Sequence, residues 1–582
     1  MSRGALTLVA GLVALLAGLG ALVARGAPPV AADGAARPVV DAGTAWRLRR
    51  IALSLATPRL EQVDSALTFP SPHDALELPG HDELWALAAR VVTAGAVGAP
   101  GEPVDLALLE RLALFQGPAL ALVLLLGLLV SVRQLSGGGE GGALLGTLVA
   151  LGGPCFLALA TPGVVRIELT AAVVLLVALR LLVAALTARS SLDRFTEAMI
   201  AGGAMGVGLC LSPLFLLPAA AAAVTFLRAA GRAPEGERED LGRAFLLFWI
   251  TTILGGLLPA MGGPWLPAAE GLVRGWTRLV SELALLGVAP FLLLRLAPRR
   301  FAPWLTGPAG ALWPLGLLAI GGTLLALAGP DHSRTAVLAH ALGLAAEGPV
   351  ELPSAHELVG IGLVAVGCLG LRNAAPGPER DLLAALSVLA LGAALVQPLA
   401  LLLAALPAGL GVAETWRTSR ARAGALAGAT LALAIVWGAS GLGAPDPGAL
   451  EVVRASRLLR GSLGPGPGWE SPRPVQRGAV LCAPEVAPLV VWHARRACVT
   501  GGLAHNGDPR GRARLEELLA LGDPGRALQA ARERRIDLVL LGPGQAEGRG
   551  TQVLQELSAG GALLPAGAGD GEARFLQLLS LP

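Results

Sequence analysis

The chain has 582 residues, of which 54% are apolar and 15% are charged, and its 78 glycines bring the apolar-plus-glycine share to roughly two-thirds, against about 45–50% in soluble domains. Mean hydropathy is +0.65. These values exclude a soluble globular protein and indicate an α-helical, polytopic membrane protein. The formal net charge of +3 is small for this length, so we expect no nucleic-acid partner and a membrane-lipid environment.

Apolar runs of about 17–25 residues, bounded by charges or by Pro and Gly, mark candidate membrane spans. We predict thirteen spans, over residues 5–25, 114–132, 141–160, 166–187, 195–210, 212–229, 243–259, 271–296, 308–328, 358–372, 380–396, 397–413 and 421–441. The first is interpreted as a retained anchor, because twenty apolar residues are long for a cleaved signal sequence. Around Pro213 and Pro398 a single long kinked helix is the competing interpretation.

The arginines orient these spans. If the N-terminus is cytoplasmic, the short loops after the even-numbered spans should carry the positive charge. They do, through Arg133, Arg189, Arg194, Arg228, Arg232, Arg238, Arg299, Arg300, Arg372, Arg380, Arg417, Arg420 and Arg422. We therefore expect an integral protein of a bacterial inner (plasma) membrane, with its C-terminus on the external, periplasmic side.

Two long segments lie outside the predicted spans. Residues 26–113 form a first external loop within a transmembrane domain that covers residues 1–441. Residues 442–582 contain three β-like runs (AVLCA, LVVWHA and IDLVLLG) and two amphipathic helical runs (RGRARLEELLALG and GRALQAARERR), which predicts an external α/β domain. Cys482 and Cys498 lie in this domain, either as a disulfide or as two free thiols.

Three carboxylates stand out at the predicted external face, where acids are sparse. They are Asp41 in the first loop, Glu168 at the start of span four and Glu357 just before span ten. Brought together, they would hold a divalent cation of the Mg²⁺ or Mn²⁺ type, which prefers oxygen ligands. In the alternative interpretation each acid caps a helix or marks the water interface, because the dipole of a helix N-terminus favours a carboxylate.

A cluster of three arginines, Arg47, Arg49 and Arg50, follows Asp41 on the same predicted side of the membrane. Guanidinium groups bind phosphates bidentately, so this cluster is a candidate phosphate or diphosphate clamp. The competing interpretation is a solvated face of an interfacial helix.

Together these motifs resemble the catalytic subunit of oligosaccharyltransferase and its bacterial and archaeal relatives, over nearly the whole chain. Asp41 precedes Trp46-Arg47-Leu48-Arg49-Arg50, as an acid precedes an aromatic- or His-led Leu-Arg-Arg stretch in that family. The segment VDSALTFPSP is similar to the family's Asp-Pro-x-Leu-x-Phe/Tyr-Pro. Ser354-Ala355-His356-Glu357 is similar to its Ser-Val-Ser/Ala-Glu motif, and Ala494-Arg495-Arg496 to an Ala-Arg-Arg element of its C-terminal domain.

Two positions depart from the family pattern. Relatives have Asp-x-Glu, Asp-x-Asp or Asp-His-His where this chain has Arg166-Ile167-Glu168, and a cation beside Arg166 would be repelled. The family's Trp-Trp-Asp-Tyr-Gly acceptor signature falls on residues 483–487, where the acid Glu485 remains but both Trp are missing.

The resemblance implies a C-type glycosyltransferase fold and transfer of a sugar or oligosaccharide from a polyprenyl phosphate or diphosphate to a protein or other acceptor. It implies catalytic roles for Asp41, Glu168 and Glu357, with Asp41 and Glu168 as ligands of a Mn²⁺ or Mg²⁺ ion. It further implies substrate binding by Arg47, Arg49, Arg50, His356 and Glu485. A catalytically inactive relative that binds or scaffolds lipid-linked glycans is the alternative function. A transporter is a third, without the internal symmetry that transporters show.

Overall fold

A computed structural model describes residues 41–56, 80–98, 103–257, 354–394, 398–439, 447–463, 479–482, 486–498, 536–541 and 574–577, with a few single residues between these ranges. The described elements are mostly helices, with one small sheet near the C-terminus. The predicted spans 5–25 and 308–328 lie outside the described residues, as does all but a few residues of the span 271–296.

Most of the described helices overlap predicted spans, but the predicted span 141–160 is divided between two helices that break at Gly152 and Gly153. In chain order they are α1 Ala42–Ala56, α2 Gly80–Val92, α3 Leu106–Leu135, α4 Gly139–Leu151, α5 Pro154–Leu159, α6 Ile167–Thr187, α7 Ser191–Leu211, α8 Leu216–Arg232, α9 Glu235–Leu257, α10 Ala355–Leu369, α11 Pro378–Ala394, α12 Ala405–Thr418, α13 Arg420–Ala439, α14 Pro447–Leu463 and α15 Ala487–His493. Short 3-10 turns at Pro213–Phe215, Gly370–Asn373 and Pro398–Ala404 join some of them.

Four of the described helices are long and apolar enough to cross a membrane. They are Leu106–Leu135, Ile167–Thr187, Glu235–Leu257 and the continuous stretch Ala355–Asn373. The 21 residues of α6 span about 31 Å, close to the thickness of a bilayer's hydrocarbon core. The chain is therefore a membrane protein.

Most of the loops predicted to share one membrane side do meet at one end of the bundle, which we call the arginine-rich end. Arg194 pairs with Glu237 at 3.1 Å, and Arg232 pairs with Asp381 at 2.6 Å. Arg417 Nη2 donates to the Asn373 carbonyl at 3.1 Å. Contacts between residues so distant in sequence support the predicted alternation of the spans.

The break at Pro213 separates two helices that cross the bundle in opposite directions. Ser191 contacts Asp240 at one end of α7, and Cys210 Sγ contacts the Gly255 carbonyl at the other, so α7 and α9 run parallel. The intervening α8 must return the chain to the arginine-rich end. A single kinked helix is thus the wrong interpretation at Pro213.

Glycines let the backbones of α7 and α9 approach closely. A Cβ atom at Gly206 would lie 2.7 Å from the Gly255 Cα, and one at Gly202 would overlap Thr251 Oγ1 and the Phe248 carbonyl oxygen. Small residues are the usual means of close helix packing in membranes, where van der Waals contact replaces the hydrophobic effect as the driving force.

At the end of the bundle opposite the arginine-rich end, α1, α2, α3 and the C-terminal segments share one hydrophobic cluster, which we call the Trp46–Trp492 cluster. Its buried members include Trp46, Ile51, Ala86, Leu109, Val453, Leu489, Trp492 and Leu538. Trp492 Nε1 donates to Glu110 Oε1 at 2.8 Å, so a hydrogen bond also joins the C-terminal part to α3. The described C-terminal segments are therefore docked on helices from the first fifth of the chain.

The sheet has the order β1-β2-β3, formed by Ala479–Leu481, Ile536–Leu541 and Arg574–Gln577. β1 and β2 are parallel, and β2 and β3 are antiparallel. The predicted strands at AVLCA and IDLVLLG are confirmed. The strand predicted at LVVWHA is wrong, because these residues belong to α15, which has Pro488 in its first turn and is buried along its whole length. A fully buried run carries no periodicity that separates helix from strand.

Gly202→Ala should destabilise the protein markedly, because the new methyl group would collide with the backbone of α9. Gly203→Ala is the matched control, since a Cβ there meets no atom within 4 Å and alanine favours helix by about 1 kcal/mol over glycine. Thermal unfolding in detergent should show a lower midpoint for Gly202→Ala and an equal or higher one for Gly203→Ala. Equal midpoints for the two variants would contradict the close α7–α9 contact.

The Sγ atoms of Cys482 and Cys498 lie 3.7 Å apart and both side chains are buried, while burial raises the pKa of the Cys498 thiol well above its usual value. We expect disulfide-exchange oxidants to join them, closing a loop of about 15 residues worth about 3 kcal/mol of unfolding free energy. Mass spectrometry after alkylation should show two fewer alkylated cysteines in the oxidised protein. Cys210→Ala, a cysteine remote from this pair, should leave that difference unchanged.

Candidate functional site

Asp41 caps the N-terminus of α1. Its Oδ2 accepts hydrogen bonds from the Thr44 backbone N–H and from Thr44 Oγ1, both at 2.7 Å. Thr44 Oγ1 in turn accepts from the Val165 N–H at 2.9 Å. This short chain of bonds fixes the start of α1 against the residues that lead into α6.

The second oxygen of Asp41 is occupied by Arg166. Arg166 Nη2 donates to Asp41 Oδ1 at 2.8 Å, and the two side chains are 35% and 27% exposed. Gly43 makes room for this pair, because a Cβ there would lie 2.7 Å from Arg166 Nη1 and 3.0 Å from its Cζ. The structure therefore places Asp41 and the basic residue of the second motif side by side.

Glu168 lies in the first turn of α6, next to this pair in sequence. Its Oε2 atom is buried and has no hydrogen-bond partner among the described residues. The negative charge of Glu168 also acts on His81 of α2. One predicted acid thus has a carboxylate oxygen to spare, whereas both oxygens of Asp41 are engaged.

The arginine cluster of α1 is buried, so its interpretation as a solvated helix face is wrong. Arg47, Arg49 and Arg50 are 6%, 1% and 2% exposed. Arg47 Nη1 donates to both oxygens of Asp82 at 3.3 Å, and Arg50 Nε donates to Asp82 Oδ2 at 2.6 Å. The charge of Arg49 acts on Cys498 instead, in the C-terminal part of the chain.

Asp82 and its neighbour His81 form the counterpart of the arginines on α2. Burial by itself would raise the pKa of Asp82, but Arg47 and Arg50 outweigh it and lower that pKa to about 2. His81 Nδ1 lies 3.2 Å from Asp82 Oδ1, yet burial dominates and lowers the pKa of His81, so its imidazole is neutral near pH 7. Among the described residues, Asp82 thus accepts from two buried arginines, Arg47 and Arg50.

Four buried polar atoms around this region have no hydrogen-bond partner in the part of the chain that the structure describes. They are Trp46 Nε1, Arg50 Nη2, His81 Nε2 and Glu168 Oε2. They belong to three helices, α1, α2 and α6, and Trp85 Nε1 joins α2 to α6 through Thr170 Oγ1 at 3.4 Å. Unsatisfied buried groups are costly in a native protein, so each of these four atoms calls for a partner beyond the described residues.

Glu357 and His356 lie at the N-terminus of α10. Glu357 Oε2 accepts from the Ser354 backbone N–H at 2.8 Å and from its hydroxyl, which is a capping box, and His356 Nε2 lies 3.2 Å from Ser354 Oγ. Because α10 leads into Asn373 at the arginine-rich end, its N-terminus lies at the same end as Asp41. Glu485 lies outside the described residues.

The residues fit a divalent cation poorly. Within the described ranges, which contain Asp41, Glu168 and Glu357, no three His, Cys, Asp or Glu side chains are grouped so that they could hold a metal ion. Thr44 and Arg166 take both oxygens of Asp41, and the guanidinium of Arg166 would repel a cation. We therefore derive no step through a metal.

Sequence reasoning missed Asp82, His81, Thr44 and Gly43. The signal for the first two was the acidic, His-led start of the amphipathic segment GHDELWALAARVV, which follows Pro79 and reads as a helix N-terminus. Nothing local pointed to the pairing of Asp82 with arginines 32 and 35 residues earlier, because that contact depends on how the first loop folds.

This geometry can be compared with known structures. The archaeal oligosaccharyltransferase AglB from Archaeoglobus fulgidus, solved with an inhibitory peptide and a dolichol-phosphate, matches with a TM-score of 0.63 at 12% identity, over 91% of this chain and 69% of that chain. The same enzyme in complex with Zn and sulfate gives a TM-score of 0.61 at 13% identity, over 90% and 67% of the two chains. The chain has the fold of this oligosaccharyltransferase.

The oligosaccharyltransferase resemblance is thus confirmed at the level of the fold. No family model matches the chain, and no curated protein matches it in sequence. The number of thirteen spans and the division into domains 1–441 and 442–582 stay predictions.

Asp82→Ala should destabilise the protein by about 3–5 kcal/mol, because it leaves Arg47 and Arg50 buried without their counter-charge. Glu239→Ala is the control: it removes a carboxylate from an ion pair with Arg243 that is far more exposed, and should cost less than about 1 kcal/mol. Unfolding in detergent compares the two. Similar losses for both variants would show that the buried arginines are not held by Asp82.

Proposed function

We propose that this protein is a C-type membrane glycosyltransferase. It transfers a sugar or oligosaccharide from a polyprenyl phosphate or diphosphate donor to an acceptor at the membrane face where Asp41 lies. The observation that carries the proposal is the convergence of Asp41, Glu168 and a buried arginine cluster at one end of an oligosaccharyltransferase fold. The dolichol-phosphate and peptide in the AglB structure support a lipid-linked donor and a peptide-type acceptor.

The reaction needs positive charge near the leaving phosphate and a base for the acceptor's proton. The bond between the sugar C1 and the phosphate oxygen breaks, a bond from C1 to the acceptor atom forms, and the acceptor loses a proton. Positive charge that is already in place stabilises the phosphate leaving group as its negative charge grows. Arg166, Arg47 and Arg50 supply guanidinium groups at this end, which suit phosphate oxygens.

Glu168 is the residue we assign to the acceptor's proton. It has a buried carboxylate oxygen without a partner in the described structure, whereas Asp41 is engaged on both oxygens. Asp41 orients Arg166 and the start of α1. The predicted roles of Arg49, His356, Glu357 and Glu485 in substrate or acceptor binding are retained as part of the proposal, as is a bacterial inner membrane with the Asp41 end outside.

One observation favours the alternative of an inactive, lipid-glycan-binding relative. Arg166 replaces an acid of the family's second motif and pairs with Asp41, the acid of the first loop. In that case the donor would bind through its phosphate and would not be turned over.

Glu168→Gln should reduce glycosyl transfer about 10²–10⁴-fold, which is the usual contribution of a general base. The assay follows labelled glycan from a polyprenyl-linked donor pool to a water-soluble product, using purified protein. Glu140→Gln is the matched control, since Glu140 forms a partly exposed pair with Arg133 near the arginine-rich end and should leave the rate unchanged. Donor binding without any transfer by the wild type would instead favour the inactive relative.

A further inference from the structure

The second motif contains the one position where this chain reverses the charge that its resemblance predicts. Arg166 stands at the first position of this motif, where all three family forms (Asp-x-Glu, Asp-x-Asp and Asp-His-His) have an acid. One structure of the Archaeoglobus fulgidus oligosaccharyltransferase was solved in complex with Zn and sulfate, so a metal can bind a protein of this fold. The question is what neutralises Asp41 in this chain.

In the structure, the Arg166 guanidinium neutralises Asp41. Arg166 Nη2 lies 2.8 Å from Asp41 Oδ1, a distance typical of a charge-assisted hydrogen bond. Thr44 occupies Oδ2 with two donors at 2.7 Å. A cation would have to break at least one of these contacts and would then lie beside a fixed positive charge, where the repulsion is twice that of a monovalent ion.

Gly43 is a second, independent observation. The planar guanidinium lies against the first turn of α1, and a Cβ at position 43 would be 2.7 Å from Nη1, 3.0 Å from Cζ and 3.2 Å from Nη2 of Arg166. All three atoms belong to the charged head of the side chain, so the space that a larger residue would fill is the space that the guanidinium uses. The backbone is shaped to receive Arg166.

We propose that the Arg166 guanidinium, which lies against Gly43 and pairs with Asp41, takes the place of a divalent cation. The site therefore binds no Mn²⁺, and Arg166 contacts the phosphate of the lipid-linked donor without a metal ion. The part about the phosphate rests on the proposed function. The part about the cation does not, because it concerns only Asp41, Arg166 and Glu168. Arg166 is about a third exposed, so an anion can reach it from solvent.

The test measures Mn²⁺ binding directly, by electron paramagnetic resonance of free Mn²⁺ titrated with purified, chelator-treated protein. The wild type should show no saturable site. Arg166→Asp, which restores an acid-x-Glu motif beside Asp41, should create one, with at least a tenfold gain in affinity. Arg243→Asp is the matched charge reversal, at an exposed pair with Glu239, and should gain no such site.

Two results would overturn the proposal. One is a saturable Mn²⁺ site in the wild type that disappears in Asp41→Asn, and this measurement stands even where Arg166→Asp fails to fold. The other is a folded Arg166→Asp protein that binds Mn²⁺ no better than the wild type.

Transfer activity separates this proposal from the proposed function. Wild-type transfer that persists in a metal chelator supports both. Transfer that is lost in chelator and restored by Mn²⁺ leaves the glycosyltransferase standing and overturns the role of Arg166. No transfer under either condition contradicts the glycosyltransferase, while the Mn²⁺ titration still decides the cation question.

Discussion

The need to neutralise buried arginines on one short helix organises the candidate site. Burying an unpaired guanidinium is very costly, so α1 is stable in its position only when α2 delivers Asp82 to Arg47 and Arg50. That pairing fixes how the first loop folds back on itself. It also sets the distance between the arginines and the start of α6, because His81, next to Asp82, is close enough to feel the charge of Glu168.

The helix α1 is consequently held from three sides. Asp41 and Thr44 attach its first turn to the residues before α6, and Asp82 attaches its middle to α2. Its apolar face packs in the Trp46–Trp492 cluster with C-terminal residues such as Trp492. Contacts with three other parts of the chain thereby fix the position of α1. Such rigid support is what electrostatic stabilisation of a leaving group requires, since charges must be in place before the reaction begins.

Sequence reasoning was strongest where a single physical rule dominates. Apolar run length and arginine placement predicted helices such as α3, α6 and α9 and the end of the bundle at which Arg194, Arg232 and Arg417 meet, because the bilayer imposes both rules on the whole chain. Sequence reasoning was weaker where contacts between distant parts of the chain determine a residue's partner or secondary structure. The arginine cluster could not be assigned to Asp82 from local pattern, and α15 was taken for a strand because burial on all sides removes periodicity.

The three predicted acids, Asp41, Glu168 and Glu357, have different surroundings in the structure. Asp41 and Glu357 both cap helices, as the alternative interpretation of carboxylates near helix N-termini allows, and capping does not exclude a second role at the same end of the bundle. Only the arrangement in space shows that both oxygens of Asp41 are engaged, while Glu168 Oε2 has no hydrogen-bond partner in the part of the chain that the structure describes. That distinction depends on Arg166, whose partner could not be known from its neighbours in sequence.

The docking of the C-terminal segments has a consequence for how the protein is made. Trp492 and Leu489 are synthesised long after Trp46 and Ile51, yet they complete the same hydrophobic cluster. The residues of α1 in this cluster therefore lack these partners while most of the membrane helices are synthesised. During that interval the residues of α2 in this cluster also lack their C-terminal partners, and the last quarter of the chain completes the burial of both sets.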